Sequence, residues 1–276
     1  MAADLRQNLC KDITNTTANL RQTKITSSLY CGMPFKNRTK PLTKMNIFAI
    51  SDLHMSVANP KPMNIFGASW NDYLSVIEKD WKEKVQADDV VLIAGDISWA
   101  MTLDDALKDM QYFYNLPGKK IFIRGNHDYW WKSITRIREN LPENCIMLQN
   151  DAVKIENCVF CGSRLWLVPG SPDFCEHDNK LYLREIERLR LAFFKANALR
   201  EESDKLICMT HYPPFNVRRD PNAVTDLMEE NHVTAAIYGH LHGKDARADL
   251  VVKKNNVPYY LTSCDLVGNK LVKIDI

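Results

Sequence analysis

Five short patterns of metal-ligand residue types occur in order along the chain: Asp52-x-His54, Gly95-Asp96, Gly125-Asn126-His127-Asp128, His211 and Gly239-His240-Leu241-His242. Their donors are oxygen and imidazole. No cysteine lies inside any of them, which excludes a Cys-rich structural zinc site at this place. Asp and His side chains suit manganese, iron, zinc or magnesium. A carboxylate can bridge two cations, and Asp96, in the middle of the order, is the natural candidate; Asn126 would add a neutral amide oxygen. Two divalent ions, the carboxylates of Asp52 and Asp96 and one metal-bridging hydroxide leave about one net positive charge, suited to an anionic phosphate. The chemistry expected of such a centre is phosphoester hydrolysis.

The elements that must position these residues follow from the runs before them. Residues 47–50, 90–94, 121–123, 206–209 and 235–238 are short, continuous apolar segments, which fit strands buried on both faces. A polar ligand type follows each run, so the carboxyl ends of several strands would gather the same chemistry at one edge, where open α/β sheets bind ligands. Helical periodicity appears over 70–85, 103–114, 131–140, 180–200 and 223–230. The fourth is amphipathic, with Leu181, Leu183, Ile186, Leu189, Leu191 and Phe194 among charges. Residues 250–252, 259–262 and 271–274 read as strands, the first two joined as a hairpin through Lys253-Lys-Asn-Asn256. A chain of 276 residues, 45% hydrophobic and 25% charged, can bury one large core.

Taken together, the five patterns resemble the calcineurin-like metallophosphoesterase family over roughly residues 45–276. Gly95-Asp-Ile-Ser-Trp-Ala-Met101 and Arg124-Gly-Asn-His-Asp-Tyr-Trp-Trp131 resemble especially a branch of stand-alone bacterial-type phosphoesterases. The resemblance implies a four-layer αββα sandwich of two mixed sheets flanked by helices. It implies Asp52, His54, Asp96 and His242 as ligands of one ion, and Asp96, Asn126, His211 and His240 as ligands of the other. His127 matches the position that gives a proton or hydrogen bond to the leaving group. In the phosphoprotein-phosphatase branch the Gly-Asp block continues to a second Asp that supports this histidine, and then to an Arg that grips phosphate. Here Trp99 stands in place of that Asp and the Arg is absent, which argues against a protein phosphatase. Asp128 is the expected alternative support for His127.

The expected activity is therefore cleavage of a small phosphoester, diester or monoester, by two metal ions, with manganese foremost. Trp99 and Tyr129 are candidates to stack on a flat leaving group, against the simpler reading of such rings as packing residues. Arg124 and Arg164 are candidate phosphate contacts, against solvated or structural ion partners. A Pro/Gly-punctuated stretch over 164–178 is a candidate specificity loop. Two other functions compete with this one. A nuclease is disfavoured because residues 45–276 carry a net charge of −4 and no basic stripe, so long nucleic acid is a poor partner. A non-catalytic metal-binding module is disfavoured because the full ligand set and His127 are present.

Residues 1–44 carry eight Lys/Arg against Asp4 and Asp12, contribute +6 to the total of +2, and lack hydrophobic period. They read as a disordered basic extension before a catalytic domain at 45–276. With no apolar stretch of signal-peptide or membrane-span length, a cytoplasmic chain without membrane contact is expected. Of the eight cysteines, Cys145, Cys158, Cys161, Cys208 and Cys264 lie in or beside strand-like segments and read as packing residues, the Cys158-x-x-Cys161 pair included, and His177 and His232, outside the five patterns, as exposed or structural.

Overall fold

The computed structural model describes residues 45–243, 246 and 248–276; the extension expected over 1–44 lies outside the described residues. In chain order the elements are β1 (Ile47–Ile50), α1 (Tyr73–Lys84), β2 (Val90–Ile93), α2 (Leu103–Tyr114), β3 (Lys119–Phe122), α3 (Ile134–Glu139), β4 (Cys145–Met147), β5 (Ala152–Ile155), β6 (Cys158–Ser163), α4 (Glu176–Leu199), β7 (Lys205–Thr210), α5 (Ala223–Glu230), β8 (Ala235–Tyr238), β9 (Val251–Lys254), β10 (Val257–Leu261) and β11 (Val272–Ile274). They form two mixed sheets, ordered β11-β1-β2-β3-β4 and β5-β6-β7-β8-β10-β9. In the first, β11 runs antiparallel to β1 and the other pairs are parallel. The second is parallel from β6 through β7 and β8 to β10, with antiparallel β5 and β9 at its edges.

Side-chain alternation explains the layers. Ile47 and Ala49 face the middle of the molecule with Val90, Leu92 and Ile121, where they meet Phe160, Ile207, Met209, Ala235 and Ile237 of the second sheet. Phe48 and Ile50, on the opposite face by the period of two, point outward with Val91, Ile93 and Phe122 to pack on Ile77 and Trp81 of α1 and Met110 and Phe113 of α2. On the other side Val159, Cys161, Leu206 and Cys208 lie under Leu189 and Phe193 of α4 and Val224 and Met228 of α5. The result is an αββα sandwich whose central strands are buried on both faces. Each such fully buried aliphatic side chain contributes about 1.5–3 kcal/mol.

At the carboxyl end of β1 the two sheets are joined by backbone hydrogen bonds. Ser51 N–H donates to Thr262 O at 2.8 Å, and Cys264 N–H donates to Ser51 O at 3.0 Å. This junction brings the loops of both sheets to one edge.

Several elements differ from the sequence expectation. The fourth helix begins at Glu176 rather than near 180, because Cys175 and Asp178 form a capping box, with Cys175 N–H donating to Asp178 Oδ2 at 2.9 Å. The third begins at Ile134 with Ser133 as its cap, and Trp130 and Trp131 before it are buried outside any helix. The hairpin is present between β9 and β10, with Asn255 and Asn256 both at positive φ (51° and 63°), as a two-residue primed turn requires. Cys158 and Cys161 pack in different apolar layers of β6, so the pair cannot close on one ion. Among the described residues no helix is long and apolar enough to cross a membrane.

Candidate metal centre

All seven expected ligands, from five separate loops, converge at the carboxyl edge of the strands. Asp52 and His54 follow β1, Asp96 follows β2, Asn126 follows β3, His211 follows β7, and His240 and His242 follow β8. The backbone there is unusual: Asp52, His54, Asp96 and His240 all have positive φ, between 46° and 71°. Non-glycine residues hold that conformation only where surrounding structure imposes it. Asp52 N–H donates to Gly95 O at 3.0 Å and His54 N–H to Asp96 O at 2.9 Å, so the first two loops are laced together residue by residue.

Two glycines of the patterns are explained by close approach. A Cβ on Gly125 would overlap the backbone nitrogen and Oδ1 of Asp96, and one on Gly239 would overlap Ser51 Oγ at the first loop. Without them the ligand loops could not reach this separation.

Asp52 is fully buried and receives hydrogen bonds from Ser51 Oγ (2.6 Å), Ser263 Oγ (2.8 Å) and His240 N–H (3.0 Å to each carboxylate oxygen). Burial raises its pKa to about 6, opposed by His211 and reinforced by Asp96. Asp96 is pushed well up by burial and then by Asp128. Two buried carboxylates in this state call for positive charge between them.

The donor geometry fits such charge. His54, buried, has both ring nitrogens without a hydrogen-bond partner, and Asp96 Oδ2 is likewise buried and unpartnered. Asp96 Oδ2 lies 3.7 Å from His54 Nε2 and 3.5 Å from His211 Nε2, between the histidines assigned to the two ions. His211 Nδ1 is 3.0 Å from Ala94 O; since a carbonyl only accepts, Nδ1 carries the proton and Nε2 the lone pair. Nε2 nevertheless sits 2.6 Å from Asn126 Oδ1, which also lies 3.0 Å from His240 Nδ1. Two facing acceptors at that distance fit a shared cation, and a metal-bound histidine commonly donates its other nitrogen to a backbone carbonyl.

Burial lowers the pKa of His54, His127, His211 and His240, the last to about 3. In all but His211 neighbouring imidazoles lower it further. Neutral imidazole is the form that binds metal. The donor atoms of Asp52, His54 and His242 lie within 4.8 Å of one another, as do those of Asp52, Asp96 and His211. The second group crosses the two expected ligand sets and marks where they meet.

His127 stands at the rim, half-buried, with its backbone N–H donating to Asp96 Oδ1 at 2.8 Å. Its Nδ1 is enclosed without a partner, whereas Nε2 is not enclosed. Asp128 does not support it. The Asp128 carboxylate faces inward and accepts from Gly125 N–H (2.7 Å), Ile97 N–H (2.9 Å), Ser98 N–H (3.2 Å) and Trp130 Nε1 (3.2 Å). It therefore ties the second loop to the third. The ring of Trp99 lies against the histidine instead, 4.6 Å from His127, and stacks on His54 at 4.7 Å and 22°. Tyr129 is exposed, 6.1 Å from His127. Arg124 and Arg164 line a neighbouring cleft, and the charge of Arg164 reaches Asp96 and His211. His177 and His232 are exposed.

Sequence reasoning did not find Ser51 and Ser263, which hold Asp52; short hydroxyl residues beside a ligand carry no pattern of their own. The stretch 164–178, singled out in the sequence, lines with Leu167, Val168, Ser171 and Pro172 a cleft of about 790 Å³ that opens beside His240; its other wall, with Phe215, Tyr238 and Leu241, had no signal in the sequence.

The sandwich and this constellation define a metal-dependent phosphoric ester hydrolase. Residues 45–244 match the calcineurin-like phosphoesterase family, and the chain belongs to it. Among solved structures, it is similar to phosphopantetheinyl hydrolase (PptH) from Mycobacterium tuberculosis at 14% identity and a TM-score of 0.50, over 83% of this chain and 95% of that one. It is also similar to the protein of unknown function AQ665 from Aquifex aeolicus, at 16% identity and a TM-score of 0.46 over the same shares of the two chains. For TT1561 of Thermus thermophilus the values are 11% and 0.47, over 84% of this chain and 99% of the other. These likenesses concern the fold. No curated protein matches the chain.

Proposed function

We propose that residues 45–276 form a dinuclear-metal-dependent phosphohydrolase that cleaves a small phosphoester, diester or monoester. In this reading Asp52, His54, Asp96 and His242 hold one ion, and Asp96, Asn126, His211 and His240 the other. The observation that carries it is Asp96 Oδ2, buried and without a hydrogen-bond partner between His54 Nε2 and His211 Nε2. Two bound divalent ions supply Lewis acidity, a lowered pKa for a shared water and a clamp on the attacking and leaving oxygens.

The chain's own side chains do the rest. Ser51, Ser263 and the His240 backbone fix the Asp52 carboxylate, and the Ala94 carbonyl fixes the tautomer of His211. His127 presents Nε2 toward the rim, where it can donate a hydrogen bond or a proton to the departing oxygen. Trp99 holds the planes of His54 and His127. The cleft beside His240 receives the organic part of the ester; its lining of Leu, Val, Phe and Tyr interspersed with Ser171, Asp173, Asn216, Arg219 and Asp249 suits a group with an apolar or flat body and polar substituents.

The test is hydrolysis of bis-p-nitrophenyl phosphate and p-nitrophenyl phosphate after metal stripping and re-addition of manganese, iron, zinc or magnesium. Metal-restored turnover is expected, and the ratio of the two rates ranks diester against monoester. Absence of turnover with every metal would reject the proposal.

A further inference from the structure

Beside the ligand loops lies a second cleft, of about 290 Å³, lined by Arg124, Arg164, Arg184, Arg188, Glu185 and the strand-end residues around Gln149. We propose that it binds a phosphate group other than the one undergoing cleavage.

The charge balance is the first argument. Four guanidinium groups surround one carboxylate. Glu185 is only 1% exposed and is already committed: it accepts from Arg188 Nη1 (2.6 Å), Ser163 Oγ (3.2 Å) and Arg164 Nη2 (3.4 Å), with Arg184 Nη2 at 3.6 Å. Arg124 has no acidic partner within ion-pair distance among the described residues, and its Nε is buried with no hydrogen bond. A purely structural arginine would be paired. With the inward-turned carboxylate of Asp128 also acting on Arg124, the cleft keeps about two uncompensated positive charges, a cost that a multiply charged oxyanion offsets.

Placement is the second argument. Arg124 directly precedes Gly125 and Asn126 of the third ligand loop, and the Arg164 carbonyl accepts from the backbone N–H groups of His211 (3.2 Å) and Tyr212 (3.0 Å). The cleft thus shares the third ligand loop with the metal centre and is hydrogen-bonded to the fourth. Arg184 and Arg188, one turn apart on α4 and roughly half exposed, close its outer side. Planar forks arriving from three elements suit a tetrahedral phosphate, whose oxygens can accept from several guanidiniums at once. The phosphate could be a second group on the substrate, a form of the inference that rests on the phosphohydrolase reading, or free inorganic phosphate.

Calorimetric titration of inorganic phosphate into the full-length, metal-loaded protein at low salt tests the site. Two phosphates per chain are expected, with one weakened by about tenfold or more, or about 1.4 kcal/mol, in Arg184→Gln/Arg188→Gln. Arg184→Gln alone keeps the close Arg188–Glu185 contact and guards against a folding defect; it should weaken the same phase. Arg190→Gln, exposed and paired with Glu187, should leave both phases unchanged. An isotherm in which no phosphate phase responds to the Arg184 and Arg188 substitutions would overturn the proposal.

Kinetics then separate the two sources. If KM rises for adenosine bisphosphate but not for adenosine monophosphate, the cleft takes the substrate's second phosphate. If the phosphate phase is lost while both KM values hold, it takes free phosphate. Should the protein hydrolyse neither, the titration still decides the cleft, and the phosphohydrolase reading stands or falls on the nitrophenyl esters.

Discussion

Replacing Asp128 tests the claim that the metal loops are held by a buried carboxylate and not only by metal. Oδ2 of Asp128 accepts from Gly125 N–H, and Oδ1 accepts from Ile97 N–H, Ser98 N–H and Trp130 Nε1. In Asp128→Asn the amide can keep its oxygen toward the three donors, which turns its NH₂ toward Gly125 N–H. One charge-assisted bond, worth about 1.5–3 kcal/mol, is then replaced by two facing donors. A loss of about 2–3 kcal/mol is expected. Asp128→Ala leaves four buried donors unsatisfied and should cost more than about 4 kcal/mol. Urea unfolding of the metal-stripped protein reads this without the contribution of metal binding. With a slope of about 2–3 kcal/mol per molar, the Asn variant's midpoint should fall by about 1 M. Bound metal at limiting concentration should also drop, because Gly125 and Asn126 lose their anchor to the second loop. A midpoint within error of the parent protein, with full metal content, would refute the reasoning and return Asp128 to the status of a bystander.

Asp96→Asn and His240→Ala should abolish turnover and lower metal content, read by elemental analysis; equal metal in the Asp96 variant would count against its bridging position. His127→Ala should keep metal while turnover falls by about 10²–10⁴-fold, the usual range for a lost general acid. Trp99→Leu removes the ring that packs on His54 and His127; slower turnover with metal retained is expected, and an unchanged kcat would show the stack to be incidental. Asp178 accepts from Trp166 Nε1 (2.8 Å) and from Cys175 N–H, which hold its pKa down from 3.8 to about 2. A depressed carboxylate adds stability above its unfolded value and loses it as pH falls through the folded one. The stability gap between parent and Asp178→Asn should therefore be full above about pH 4 and close toward pH 2 in denaturant titrations. A chain starting at Met45 should keep its melting temperature and turnover.

Much of the site was legible in the sequence because ligand chemistry constrains residue type. Asp, His and Asn at the ends of apolar runs have few other reasons to recur in that order, and β1, α2, α5 and β8 fall where their periodicity or apolar runs put them. The short strands β4, β5 and β6 were harder to read. They mix cysteines, polar and glycine residues in runs of three to six, and their strand character comes from the pairs they make across the sheet.

The same division holds for function. The sequence by itself determined the class of chemistry, since donor atoms and their strand-end placement belong to the local chain. Tertiary structure alone decided the partners. It turned Asp128 inward to four donors, set Trp99 against His127, placed Ser263 under Asp52 from 211 residues away, and drew four arginines from the ends of β3 and β6 and from α4 around one buried glutamate. These are contacts between distant segments, and no local pattern of residues encodes which of them meet.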